Sequence, residues 1–456
     1  MLRETIIAVS TPLGYGGLGI VRLSGGKSLS IAKKIFKPRA EKYKKIPERR
    51  PILGSLYDFE NKEFFEEAYL TYFAKPHTYT REDVVEISCH GSPIILEEVV
   101  RLGIKAGARH AHPGEFTIRA YLNGRIDIIQ AEAVNDLIGA TSLNQAKISF
   151  KQLEGKLSQK IRSFRGQIVH LLAHIEAAIE FPEEGLRISV KQIQRELENI
   201  VQSLKKLIES YDAGKTLAEG LTIAITGRTN VGKSTLFNSL LGKDRAIVTP
   251  YPGTTRDYLR ETIKIKDSVF TLVDMAGLAI PSHPIEKEGI KKGAKLAYRA
   301  DGLLLVMDTS RKESSEDLKL INKFKNKKAI LVFNKIDLTQ KMDKERVKRL
   351  TKKTDSIEIS ALKGTNLDKL KDLIHKLFVS PPNKGEEVIL HLRQKLLLEE
   401  ILAGLASSLT LLKKGYSEEI YVEEIRKVIP LIGQLTGEIH QNNILEDIFK
   451  RFCVGK

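Results

Sequence analysis

Two long stretches of the chain repeat apolar side chains at intervals of three and four. Leu157, Ile161, Phe164, Ile168, Leu171 and Ile175 form one stripe, and Ile193, Leu197, Ile200, Leu204, Leu207 and Tyr211 form a second. That period lines one face of a helix, so each stretch predicts a long amphipathic helix whose stripe is bundle core. Upstream the texture differs. The runs "TIIAVST", "GIVRLSG", "FFEEAYLTYFA" and "DVVEISCHG" are strand-like and bounded by Gly and Pro, with a helix predicted over 92–106. Between 216 and 378, "LTIAITG", "VFTLVDMAG", "GLLLVMDTS", "AILVFNK" and "SIEISA" alternate with helical segments. Such alternation predicts a parallel sheet covered on both faces. After "SPPNKGEE" the helical texture returns over 385–452.

The expected organisation is therefore an α+β N-terminal domain over 1–118 and a helical bundle domain in two parts, 119–215 and 379–456. An α/β domain over 216–378 is inserted between those parts. The chain has 456 residues, enough for about three domains. Lys and Arg exceed Asp and Glu by 74 to 57, a net charge of +17. A field of that sign attracts polyanions, although a Lys-rich soluble surface gives the same balance. Two cysteines, Cys89 and Cys453, exclude a disulfide scaffold and fit a reducing cytoplasm. No apolar run reaches the roughly 18 residues a membrane span needs, so no membrane partner is expected. The N-terminal stretch reads as a strand and turns rather than a leader, with Glu4 directly after its one early basic residue.

The chemistry concentrates in the α/β segment. "GRTNVGKST", 227–235, follows a strand and opens a helix, the context a phosphate-binding loop requires. The loop offers Gly227, Asn230, Val231, Gly232, Lys233, Ser234 and Thr235, with Lys233 on the terminal phosphates and Ser234 on Mg²⁺. The inserted domain is thus an α/β P-loop GTPase domain. Base identity comes from "NKID", 334–337, where the Asp337 carboxylate matches guanine's N1–H and amino donors. Adenine has no such pair. Asn334 and Lys335 brace that loop, and Ser360 and Ala361 of "SAL" complete the pocket. Asp274 of "DMAG" ends a strand and serves Mg²⁺ through water, Gly277 N–H meets the γ-phosphate, and Thr255 of "GTTRD", which starts at Gly253, gives Mg²⁺ a second hydroxyl. The ligand is GTP or GDP.

One position is conspicuous. Where many small GTPases carry a glutamine that orients the attacking water, this chain has Leu278. Glu286 is a candidate replacement, although an ordinary acidic residue in a helix's first turn is the favoured reading of that position alone. Asn230, with carbonyls of "RAIVTPYPGTT", has the oxygen chemistry to hold a monovalent cation where an arginine finger's charge would act.

Over essentially its full length the chain resembles the MnmE (TrmE) family of tRNA modification GTPases. The resemblance rests on "ETIIAVSTPLGYGGLGIVRLSG", "HPGEFTIRAYLNGRIDIIQAEAVNDLI", "GRTNVGKSTLFN", "AIVTPYPGTTRD", "NKID" and the ending "FCVGK". It implies a folate-binding, dimer-forming N-terminal domain that takes 5-formyl- or methylene-tetrahydrofolate. It implies a homodimer working with an FAD-dependent MnmG-type partner on tRNA, adding an aminomethyl or carboxymethylaminomethyl group to C5 of the wobble uridine. It further implies K⁺-dependent hydrolysis, with Asn230, Thr249, Tyr251 and Thr254 on K⁺ and Ser234 and Thr255 on Mg²⁺. Glu286 becomes the catalytic glutamate, against the reading of that residue alone. Arg22, Glu86, Arg125 and Lys456 become folate contacts.

Departures are Met275 and Ala279 in "DMAGLA", Arg125 where the family has lysine, and Val454 in the terminal motif. Gly and the terminal Lys456 fit a prenylation box poorly. The resemblance places Cys453 at the folate pocket as a reactive thiol, in surroundings that favour the thiolate. Zinc at Cys89, His90, His110 and His112 matches no standard spacing; His110 and His112 are expected to face solvent or tRNA. Two other functions share the G motifs: a GTP-switched RNA-binding factor of the ribosome-assembly type, and a folate-dependent transferase with a regulatory G domain. The first would need neither the N-terminal domain nor "FCVGK", and no Gly-x-x-Gly RNA-binding loop follows the G domain.

Overall fold

The computed structural model describes residues 4–40, 45–181, 189–242, 260–274, 300–324, 327–351, 354–379 and 387–439, with Ile448, Phe452 and Gly455. The chain divides into two compact units. One contains Met1–Ile138, Ser149–Ile200 and Ala403–Lys456, the other Gly139–Ile148 and Val201–Leu402.

The first unit is built on a seven-stranded sheet. Its elements are β1 (Ile6–Val9), β2 (Gly16–Ser24), α1 (Ser28–Ile35), β3 (Phe36–Pro38), β4 (Ile52–Asp58), β5 (Glu63–Phe73), β6 (Val84–Gly91), α2 (Pro93–Lys105) and β7 (Arg109–His110). Their order in space is β3-β4-β5-β6-β2-β1-β7, antiparallel except where β7 joins β1. Alternation sets the faces: Ile52, Gly54, Leu56 and Asp58 of β4 are buried while Leu53, Ser55 and Tyr57 are half-buried. The buried set meets Ile31, Ala32 and Ile35 of α1 and Leu96, Val99 and Leu102 of α2. The expected strands all form. The short edge strand β3 and the strand β4 carry weaker signals and were not expected.

Helices follow: α3 (Glu115–Leu122), α4 (Ile128–Ile138), α5 (Leu143–Leu153), α6 (Lys156–Glu180) and α7 (Val190–Glu219). All twelve positions of the two predicted stripes are buried, none more than 6% exposed. The helix Glu418–Thr436 packs on α6 and α4. It ends at Gly437, whose φ of 84° suits a residue without a side chain, and the Tyr121 hydroxyl donates to the Gly437 carbonyl at 2.6 Å.

The second unit holds β8 (Leu221–Thr226), α8 (Lys233–Leu241), β9 (Arg260–Ile265), β10 (Ser268–Asp274), β11 (Gly302–Asp308), β12 (Ala329–Asn334) and β13 (Asp355–Glu358). The sheet order is β13-β12-β11-β8-β10-β9. Both faces are covered, as alternation of helices and strands requires. Leu304, Val306, Ile330 and Val332 face α8 and the helix Leu367–Phe378. Leu303, Leu305, Leu331 and Phe333 face Ile321 and Val347 of two other helices.

One expectation needs correction. The sheet is not wholly parallel, because β9 runs antiparallel to β10 from Ile265↔Ser268 onward. Only Lys266 and Asp267 connect the two strands, and so short a loop can join only antiparallel neighbours. Lys266 takes the positive φ of 58° that such a turn demands.

In the first unit Arg119 is 1% exposed. Its guanidinium donates to Glu82 at 2.9 Å and to Glu115 at 3.0 Å. Burial alone would raise the Glu115 carboxyl, but Arg109, the His112 amide and Arg119 hold it below its ordinary value. Its stabilisation is therefore complete above the ordinary carboxylate pKa and is lost as pH falls through the depressed one. Arg119→Leu should destabilise this unit by about 3–5 kcal/mol, because Glu82 loses its guanidinium partner and Glu115 one of its two. Thermal unfolding near neutral pH measures this, and an unchanged midpoint would contradict it.

Candidate active site

β8 delivers the chain to Gly227, which the Val306 carbonyl backs so closely that no side chain fits. Asn230 (φ 64°) and Gly232 (φ 95°) then take the left-handed conformation, the kind of turn that builds an anion-binding loop. α8 begins at Lys233, so the free N–H groups of its first turn close the loop. Lys233 is 7% exposed, and its Nζ donates to the Arg228 carbonyl at 2.6 Å. Burial holds its ammonium below its ordinary pKa, with Asp274 only partly opposing. A poorly solvated ammonium at the loop is suited to phosphate oxygens. Ser234 Oγ donates to Asp274 Oδ2 at 2.8 Å, which joins two of the groups expected to serve Mg²⁺. A hydroxyl beside a buried carboxylate is the oxygen chemistry that ion takes.

The base loop is fastened to the phosphate loop and α8 by side-chain bridges. Asn334, 2% exposed, donates through Nδ2 to the Val231 carbonyl at 2.9 Å and accepts from the Ala361 amide at 2.9 Å. Lys335 adds a second bridge, donating to the Asn230 carbonyl at 2.8 Å and to Asp308 Oδ2 at 2.6 Å. A third runs from Ser239 Oγ of α8 to the Ala361 carbonyl at 2.7 Å. Asp337 is half-buried. Its carboxyl is held below the ordinary range first by the Ser360 hydroxyl, then by Lys363 and Lys335. It stays an anion, able only to accept.

The structure thus brings together Gly227, Asn230, Val231, Gly232, Lys233, Ser234, Asp274, Asn334, Lys335, Asp337, Ser360 and Ala361, with Thr235 exposed on the first turn of α8. Thr249, Tyr251, Gly253, Thr254, Thr255, Gly277 and Glu286 lie outside the described residues, as do Leu278, Met275, Ala279, Cys453 and Lys456. Asp308 was missed. Burial pushes its carboxyl up, but the Lys335 ammonium and Ser310 outweigh that and hold it low.

A second site lies in the other unit. Arg22 and Glu86 are cross-strand partners of β2 and β6, joined by bonds of 2.9 and 2.7 Å from Nε and Nη2 to one carboxylate oxygen. With Arg125, Tyr79, Phe73 and His77 they line a cavity of about 540 Å³. Arg125 lies over the Tyr79 ring, 4.9 Å from its centre. Burial raises the Tyr79 hydroxyl, with Thr117, Arg125 and Arg22 opposing. The wall 76–82 is held from behind: Asn123 donates to the Thr80 carbonyl at 2.6 Å, Arg81 to the Asn123 carbonyl at 2.9 Å, and Arg119 to Glu82. Arg22, Arg81 and Arg125 outnumber the single carboxylate Glu86, and aromatic rings flank them. This lining fits a flat heterocycle that carries carboxylates, so three of the four expected folate contacts share one cavity. Ser10 Oγ donates to the Gly455 carbonyl at 3.2 Å, which places Gly455 at the end of β1 on the same sheet.

No zinc site forms among the described residues, where no group of three or more such ligands occurs. Cys89 is buried, its thiol pushed up to about 11 by burial and by Glu66. His90 turns outward to Glu66 at 3.0 Å, and His110 and His112 are exposed.

A lone carboxylate at the mouth of the nucleotide site calls for a base with two adjacent N–H donors, which guanine has and adenine lacks. Joined to the phosphate loop it makes this a P-loop GTPase. A family model described as the MnmE helical domain matches residues 128–453, and one described as the GTP-binding protein TrmE N-terminus matches residues 5–125. The tRNA modification GTPase MnmE of Thermoanaerobacter sp. (strain X514) is 40% identical over 460 residues, covering 100% of both chains. That of Aquifex aeolicus (strain VF5) is 39% identical over 459 residues, again with 100% of each covered. The Thermotoga maritima protein of the same name is 38% identical over 456 residues, with 99% of this chain and 100% of that one covered. The chain belongs to the MnmE (TrmE) family of tRNA modification GTPases.

Asp308→Asn removes the charge that holds Lys335. It should weaken GDP and GTP binding alike by about tenfold, or about 1.4 kcal/mol, while guanine is still preferred to adenine because Asp337 is untouched. A fluorescent-nucleotide titration measures both, and unchanged affinity would leave Asp308 without a role.

Proposed function

We propose that the chain is a cytoplasmic, K⁺-activated GTPase whose hydrolysis drives modification of the wobble uridine of certain tRNAs. It works as a homodimer with an FAD-dependent MnmG-type partner and adds an aminomethyl or carboxymethylaminomethyl group at C5. The one-carbon unit comes from 5-formyl- or methylene-tetrahydrofolate. The observation that carries this reading is the coexistence, in a member of this family, of the fastened guanine site with the arginine-rich, aromatic cavity around Arg22 and Arg125. Among the described residues no helix is long and apolar enough to cross a membrane.

Each residue's part follows from its chemistry. Loop amides and Lys233 grip the phosphates, and Asp337 selects guanine. Ser234 and Thr255 would hold Mg²⁺, with Asp274 contributing through water, and that ion would supply charge neutralisation on the phosphates. Asn230, Thr249, Tyr251 and Thr254 hold K⁺, which supplies the positive charge an arginine finger brings elsewhere. Leu278 can neither donate nor accept, so Glu286 orients the attacking water and takes its proton. In the cavity Arg22 and Arg125, joined by Lys456, would take the carboxylates of the folate, Glu86 would accept from ring N–H donors, and the Tyr79 ring backs Arg125. Cys453 supplies a thiolate that the cations of this pocket favour.

Two measurements test this reading. Hydrolysis should be at least about tenfold faster in K⁺ than in Na⁺, and Glu286→Ala should cut turnover about a hundredfold or more at unchanged GTP affinity. Equal rates in the two salts would remove the cation role of Asn230. A parallel loss of affinity would make Glu286 a binding residue instead.

A further inference from the structure

Residues 33–50 carry nine lysines and arginines against two glutamates, a large part of the chain's net charge of +17. Lys33 and Lys34 lie in the last turn of α1, Lys37 on the edge strand β3, and Arg39, Lys45, Arg49 and Arg50 between β3 and β4, all exposed. Two arginines have exposed acidic neighbours, Arg39 with Glu67 at 3.3 Å and Arg49 with Glu48 at 3.5 Å. Among the described residues no carboxylate comes within ion-pairing distance of Lys33, Lys37, Lys45 or Arg50. Aromatic surface lies in the same place: Lys37 Nζ is 5.3 Å from the centre of the Tyr57 ring. Tyr57 meets Phe64 at 5.1 Å, and Phe64 is 61% exposed.

The basic segment also leads somewhere. The Arg49 amide donates to the Tyr72 carbonyl at 2.7 Å, and its guanidinium donates to the His77 carbonyl at 2.9 Å. His77, and Phe73 next to Tyr72, are walls of the Arg22–Arg125 cavity. Charge on an edge strand also guards against unwanted strand pairing. That accounts for Lys37 but not for Lys45, Arg49 and Arg50, which lie off β3.

We infer that Lys33, Lys37, Arg39, Lys45, Arg49 and Arg50 form an RNA track that seats the phosphates of a folded RNA and leads an unpaired base to the cavity. The inference rests on the tRNA reading above and adds where the RNA lies. Lys33, Lys37, Lys45 and Arg50, which have no acidic partner among the described residues, can displace the counterions condensed on RNA phosphates, and the Tyr57–Phe64 rings offer a face on which an unpaired base stacks.

The test is tRNA binding to the full-length protein across a series of KCl concentrations. The triple variant Lys37→Glu, Lys45→Glu, Arg50→Glu is compared with a charge-matched control, Lys191→Glu, Lys205→Glu, Lys206→Glu, at exposed positions of α7. The track variant should bind at least about tenfold more weakly, with a slope of log affinity against log salt shallower by about 2–3. Its basal GTP turnover and thermal midpoint should match the unaltered protein, which excludes misfolding. If the control variant loses as much affinity, or the track variant keeps the slope, the track is wrong and the tRNA reading stands. If the unaltered protein binds no tRNA, the tRNA reading fails and takes the track with it.

Discussion

The nucleotide site depends on the buried side chain of Asn334. Its amide has one donor group and one acceptor directed at two different loops, the Val231 carbonyl of the phosphate loop and the Ala361 amide of the base loop. Both partners are backbone groups far apart in the chain, and neither finds water at this depth, so losing the amide leaves two buried polar groups unpaired. The same side chain occupies the space that a Cβ at position 232 would need, which is why that left-handed position is glycine. Because the clamp is short and fully used, the phosphate and guanine ends of a nucleotide are read by one rigid body. Lys335 and Asp308 extend it by an ion pair between a half-buried lysine and a buried carboxylate, and Lys335 reaches Asn230.

The cavity of the other unit follows a different design. Its wall 76–82 is loop, and the loop is pinned by buried charge and the side-chain amide of Asn123 from α3 and its C-terminal end, as well as by Tyr79 packing on Ile6, Ala8, Ala111 and Phe116. Arg119 sits at the centre of that support. Arg22 faces Glu86 across two strands and is balanced, whereas Arg125 rests on the Tyr79 ring. A cavity with one balanced and one aromatic-stacked guanidinium keeps a net attraction for carboxylates without a large desolvation cost.

Much of this was legible in the sequence because it is periodic or contiguous. The stripes from Leu157 to Ile175 and from Ile193 to Tyr211 needed only the helical period, and "GRTNVGKST" and "NKID" are each local. What was missed has no local signature. Asp308 is a lone carboxylate at a strand end until β11 and β12 pair and bring it to Lys335. His77 and Arg81 reach the cavity on a wall that Arg119, Asn123 and Arg49 hold in place. The β9–β10 hairpin had a faint signal in the alternation of Ile263 and Ile265, overshadowed by the surrounding parallel pattern. The expectation against zinc rested on spacing alone; the fold adds that Cys89 and His90, neighbours in sequence, point to opposite faces of a strand.

The central claim is that GTP hydrolysis in this chain serves chemistry on a wobble uridine. Mass spectrometry of tRNA nucleosides from cells with and without the gene tests it most directly. The account predicts loss of the modified uridine, restored by the intact gene but not by a Cys453→Ser version. An unchanged nucleoside profile would contradict it and leave a GTPase with another purpose.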